Sequence, residues 1–91
     1  DMEKVLETAK RTGTAMELNS HWDRLDLNDI NARKAIANGV KLSINTDSHH
    51  HRHLSMMALG VGTARRGWAT ASDVINTFTL EELRAWQKRN R

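Results

Sequence analysis

Ninety-one residues make one small domain at most, and a chain of this size buries only about two thirds of the surface its unfolded form exposes. Hydrophobic residues at 38% and charged residues at 27% exclude a disordered acidic or basic tail, and the absence of Cys excludes disulfides and thiolate metal sites. A net charge of +3 permits a polyanionic partner without demanding one, and no apolar run reaches the ~18 residues of a membrane span.

Residues 1–12 place Val5, Leu6 and Ala9 on one helical face, and Gly13 closes the helix as a cap. The chain opens at Asp1 inside what reads as a helix, without an initiator Met, so a piece of a larger protein is expected. From Thr14 to Asn19 the period changes to two, with Met16 and Leu18 on one face and Ala15, Glu17 and Asn19 on the other, which predicts a strand. A polar, turn-prone stretch from Ser20 to Asp29 leads into a second helix over about Leu27 to Asn38, capped by Asp26 and ended by Gly39.

Val40, Leu42 and Ile44 alternate with Lys41, Ser43 and Asn45 in a second strand. After the loop Thr46–His53, a short helix through Leu54, Met57 and Ala58 is predicted to stop at Gly60, with a brief third strand over Val61 to Thr63. Thr70–Asp73 and Thr79–Glu82 both fit the capping-box pattern and predict helices, the last with an apolar stripe of Leu80, Leu83 and Trp86. This alternation of helices and strands predicts an α/β domain, with parallel strands joined by helical crossovers. Two or three such strands cannot close a barrel, which also favours a fragment.

In parallel α/β folds, ligands bind beyond the carboxyl ends of the strands. The first strand ends through Glu17, Asn19 and His21, which share a face by two-residue spacing, and the second leads to Asp47 and His49. A carboxylate and an imidazole at one strand end form a mixed oxygen and nitrogen set that suits zinc, manganese or iron, or else a capping Asp beside a surface His. The run His50-His51-Arg52-His53 reads as a solvated patch able to take up metal adventitiously. Glu17 is open to two roles, a catalytic base or a buried partner for a nearby Arg. Arg24 can meet a phosphate or pair with Asp23 or Asp26.

Arg65-Arg66-Gly67-Trp68 joins two guanidinium groups to an aromatic ring, either as a nucleic-acid contact or as a loop whose Trp packs on the neighbouring helix. The three Trp are expected to be core anchors.

Met16-Glu17-Leu18-Asn19, Arg24-Leu25-Asp26-Leu27, Asn45-Thr46-Asp47-Ser48-His49 and Gly60-Val61-Gly62-Thr63-Ala64-Arg65-Arg66-Gly67-Trp68 occur in this order, followed by Val74-Ile75-Asn76-Thr77 and Leu83-Arg84-Ala85-Trp86. Together, over roughly residues 5 to 90, they resemble the C-terminal end of bacterial family X DNA polymerases, where the polymerase and histidinol phosphatase (PHP) domain ends. The resemblance implies the C-terminal portion of a distorted seven-stranded β/α barrel, with divalent metal ions, zinc or manganese, at the carboxyl ends of its strands. The implied activity is metal-dependent phosphoester hydrolysis, a 3′-5′ exonuclease and DNA-end processing activity in DNA repair, with DNA as partner.

By the same resemblance Asp47 and His49 are metal ligands, Arg24, Asn19 and His21 lie near substrate phosphate, and Glu17 lines the site. Trp22 stands where the family often has Pro, and the early His-x-His motif and other barrel ligands are missing. Residues 1–91 are therefore expected to be one fragment of the domain, without a complete catalytic set or activity of its own and in a cytoplasmic protein. Loss of the rest of the barrel is expected to expose inner apolar strand faces and favour a homo-oligomer. The rival readings are a non-catalytic DNA-binding module using Arg65, Arg66, Trp68 and the basic last helix, a small-molecule phosphatase of the same superfamily, and a structural fragment with no independent activity.

Overall fold

A computed structural model describes residues 1–20, 27–46 and 51–89, with only the backbone described for 51–53. The order is α1 (Met2–Thr12), β1 (Met16–Asn19), α2 (Asp29–Ala37), β2 (Leu42–Asn45), a 3-10 segment (His51–Met56), α3 (Met57–Arg66), two single 3-10 turns (Ala71–Asp73 and Ile75–Thr77) and α4 (Leu80–Arg89).

Local chemistry explains the ends of the first elements. Asp1 caps α1, its Oδ1 accepting the N–H of Glu3 at 3.1 Å, and Gly13 takes the left-handed conformation at φ 71° that ends it. Asn28 caps α2, with Oδ1 accepting the N–H of Asn31 at 2.9 Å, whereas Asp26, the cap expected from the sequence, lies outside the described residues. Gly39, at φ 75°, turns the chain from α2 toward β2.

β1 and β2 are parallel and paired in register, Met16 with Leu42, Glu17 with Ser43, Leu18 with Ile44 and Asn19 with Asn45. The ladder extends at both ends, where Met16 N–H donates to the Lys41 carbonyl at 2.9 Å and Ser20 N–H to that of Asn45 at 2.6 Å. α2 is the crossover between the two strands, as the alternation predicts.

Leu18, Leu42 and Ile44 point to one face of this sheet, where Leu6 and Ala9 of α1, Ala32 and Ala35 of α2 and Ala64 of α3 cover them. The other face carries Glu17, Asn19, Ser43 and Asn45. The expectation of exposed apolar strand faces is therefore corrected: the apolar face is the one the helices bury, and the open face is polar.

The predicted break at Gly60 and third strand at Val61 to Thr63 do not form, because α3 runs unbroken through both glycines to Arg66. Gly60 is buried against the sheet, and a Cβ there would lie 2.9 Å from Ile44 Cγ2 and 3.0 Å from Ser20 Cβ. Tertiary packing of a smooth helix face outweighs the roughly 1 kcal/mol helix penalty of glycine. Where a third strand does approach, it is a single parallel bridge from Val74 to Leu42.

Two residues on, the side chain of Asn76 takes the place of a strand. Its Oδ1 accepts the N–H of Ile44 and its Nδ2 donates to the Ile44 carbonyl, both at 2.8 Å. The outer edge of β2 is thus closed by an amide that mimics a peptide group.

The end of the chain departs from the sequence reading in degree. Thr70 N–H donates to Asp73 Oδ2 at 2.8 Å, but the segment it opens is one 3-10 turn and not a full helix. The reciprocal box at α4 is complete, with Thr79 N–H to Glu82 Oε1 at 2.9 Å and Glu82 N–H to Thr79 Oγ1 at 3.1 Å. Of its apolar stripe, Leu80 is 65% exposed, while Leu83 and Trp86 are half-buried. Val5 likewise stands off the buried face of α1. The described residues contain no helix long and apolar enough to cross a membrane.

Candidate functional site

The polar face of the sheet is a consequence of strand period and register together. Residues two apart share a face, and in-register parallel pairing sets Glu17 beside Ser43 and Asn19 beside Asn45. Each strand ties its own pair together. Asn19 Nδ2 donates to Glu17 Oε1 at 3.2 Å, and Asn45 Nδ2 donates to Ser43 Oγ at 3.0 Å. Glu17 is exposed and Asn19 is nearly buried, so the carboxylate is presented at the surface while the amide beneath orients it.

The carboxyl ends of the strands are firmly held. Ser20 is fully buried, with its hydroxyl directed at Met57 Sδ at 4.0 Å, and Thr46 is 8% exposed. α3 covers this end because Gly60 lets it sit directly on Ser20 and Ile44. Both chain segments with candidate ligands leave the sheet here, one after Ser20 and one after Thr46.

Of the residues singled out from the sequence, the structure brings Glu17 and Asn19 into one hydrogen-bonded pair, as the two-residue spacing implies. His21, Arg24, Asp47 and His49 lie outside the described residues, as does Trp22. Among the described residues no group of three or more His, Asp or Glu is placed to hold a metal ion. The donor set on the open face is one carboxylate, Glu17, among neutral amide and hydroxyl oxygens. Such donors suit a hard divalent cation but carry too little charge to hold one alone.

Sequence reasoning assigned no site role to Ser43 and Asn45. Their alternation with Leu42 and Ile44 was visible, but only register shows that they flank Glu17 and Asn19.

The Arg65-Arg66-Gly67-Trp68 segment resolves against α2. Arg66 lies 3.6 Å from Asp29 Oδ2 through its Nε, and its Nη2 donates to Thr63 Oγ1 at 3.1 Å. The guanidinium carbon of Arg33 sits 3.6 Å from the centroid of the Trp68 ring. That ring is 67% exposed, so Trp68 is not the core anchor expected of it. Trp86 is half-buried, near Gly13 and Gly39 at the amino ends of the strands.

No family model matches the chain. Over 90 residues, 99% of its length, it is 42% identical to the DNA polymerase/3'-5' exonuclease PolX of Bacillus subtilis (strain 168). It spans only 16% of that protein's length. Identity at this level along nearly the whole chain makes it similar to the C-terminal part of that protein.

Proposed function

We propose that this chain is the C-terminal portion of a metal-dependent phosphoesterase domain of the PHP type, a partial β/α barrel that serves 3′-5′ exonuclease and DNA-end processing in a longer protein. One observation carries the reading. Two parallel strands in register present Glu17 and Asn19 beside Ser43 and Asn45, and the chain passes from the anchored end of β2 straight into Asp47-Ser48-His49. The name of the Bacillus relative supplies the reaction class and the polymer.

In this reading Asp47 and His49 hold a divalent ion, zinc or manganese, and the ion when bound polarises a scissile phosphate and supplies hydroxide. Glu17 lines the site, held by Asn19, while Asn19, His21 and Arg24 steady substrate phosphate. The ligands on this chain are too few for a multinuclear centre, so the 91 residues alone do not hydrolyse DNA ends.

Calorimetric titration of metal-free protein with manganese and with zinc tests the assignment. Binding is expected in the native chain and is expected to vanish in Asp47→Ala. Binding that survives unchanged in Asp47→Ala assigns the metal to the His50–His53 run and removes this chain's own support for the enzyme reading.

A second expectation concerns assembly. The sheet has two strands, and while Asn76 closes the edge of β2, no described strand covers the edge of β1. An open edge is a template for pairing, so the isolated chain is expected to associate with a second copy. Light scattering should show mass rising with concentration, and a constant monomer mass would refute it.

A further inference from the structure

α3 ends in a Schellman arrangement. Ala69 N–H donates to the Ala64 carbonyl at 3.0 Å and Trp68 N–H to that of Arg65 at 2.9 Å, which puts Trp68 at the position that turns left-handed. Its φ is 68°, and no other non-glycine residue among those described has a positive φ. Glycine is the usual occupant of this position, because a side chain there costs roughly 1–2 kcal/mol. The sequence has its glycine one residue earlier. Gly67 is needed where it stands, since a Cβ would lie 2.9 Å from the Asp29 carbonyl oxygen and 3.1 Å from the Arg33 nitrogen.

Helix packing thus explains Gly67, whereas the packing seen at Trp68 is the Arg33 guanidinium against its ring. The strained position holds a large ring with two thirds of its surface in water. Arg33 lies over one face of the ring at 3.6 Å, and Trp68 is nonetheless 67% exposed. The surroundings are cationic: α2 and α3 together carry Arg33, Lys34, Arg65 and Arg66 against one carboxylate, Asp29. An exposed aromatic ring in a basic field is the chemistry that binds unpaired bases, by stacking on the ring and by attraction of phosphate to the surrounding cations.

We propose that Trp68, backed by Arg33 and flanked by Arg65, is a stacking platform for an unpaired base of a single-stranded nucleic acid. The platform is built by α2 and the end of α3 and uses none of the residues assigned to the strand-end site. It therefore stands or falls separately from the phosphoesterase reading.

The test is fluorescence anisotropy of a short labelled oligothymidylate titrated with the chain, beside thermal unfolding of each variant. Trp68→Gly is the decisive substitution, because it relieves the left-handed strain while removing the ring. Its melting temperature should hold or rise while binding weakens roughly 5- to 150-fold, the range base stacking carries. Trp68→Phe keeps an aromatic face and should bind within a few-fold of the native chain. A native chain that does not bind the oligomer, a Trp68→Gly variant that binds as the native chain does, or equal affinity for a duplex of the same length would each overturn the proposal. Loss of both melting temperature and binding in Trp68→Gly, with Trp68→Phe also failing to bind, would assign the ring a structural role instead.

Discussion

Asn76→Ala is expected to lower the melting temperature by roughly 4–24 °C, the effect of losing about 1–3 kcal/mol from a domain of this size. The side chain satisfies both the N–H and the carbonyl of Ile44, each at 2.8 Å, and Ile44 is buried at 5% exposure. Alanine leaves both groups without these partners at a partly buried edge. Asn76→Asp separates the two bonds. Its carboxylate still accepts from the Ile44 N–H but no longer donates to the carbonyl, and it sets a negative charge against that oxygen. Aspartate should therefore be no better than alanine.

The loss also opens the edge of β2, so Asn76→Ala should associate more readily than the native chain. Circular dichroism melts and light scattering on the two variants check this. Unchanged melting in both would mean that the amide does not close the sheet.

Gly60→Ala and Gly62→Ala should move stability in opposite directions, although both place alanine in the same helix. At position 62 a Cβ meets only Arg66 Nη1 at 3.7 Å, the end of a flexible side chain, so alanine should stabilise by up to ~1 kcal/mol through helix propensity alone. At position 60 the Cβ meets Ile44 Cγ2 at 2.9 Å and the Cβ and hydroxyl of Ser20, a fully buried residue. Overpacking of this kind costs about 1–3 kcal/mol and outweighs the propensity gain. The helix must then lift from the end of β1, where the chain leaves toward His21 and Arg24. Denaturant unfolding of the pair decides the matter. Stabilisation by both substitutions would show that α3 does not sit on the sheet through Gly60.

The local half of this structure was legible because it rests on local chemistry. Gly13 and Gly39 end helices, Thr79 and Glu82 cap α4, and two-residue alternation marks β1 and β2; each depends on residues within a turn of one another. The pairing of Glu17 with Asn19 follows from the same period. Where the sequence reading failed, a distant contact overrode a local preference. Gly60 looks like a helix stop and is instead a contact surface for Ser20 and Ile44, which are far away along the chain.

Legible in the residues alone were an α/β chain with two alternating strands, capped helices and a polar pair on β1, together with its likeness to the C-terminal part of family X polymerases. Contacts between distant segments set the strands in register, so that Ser43 and Asn45 join that polar face and the apolar face goes to the helices. Such contacts also make Asn76 end the sheet and hold Trp68 outward on Arg33. One cause is common to all three. In-register strand pairing, a side-chain amide in place of a strand and a ring stacked on a guanidinium join groups far apart in the chain, and no local periodicity records such meetings.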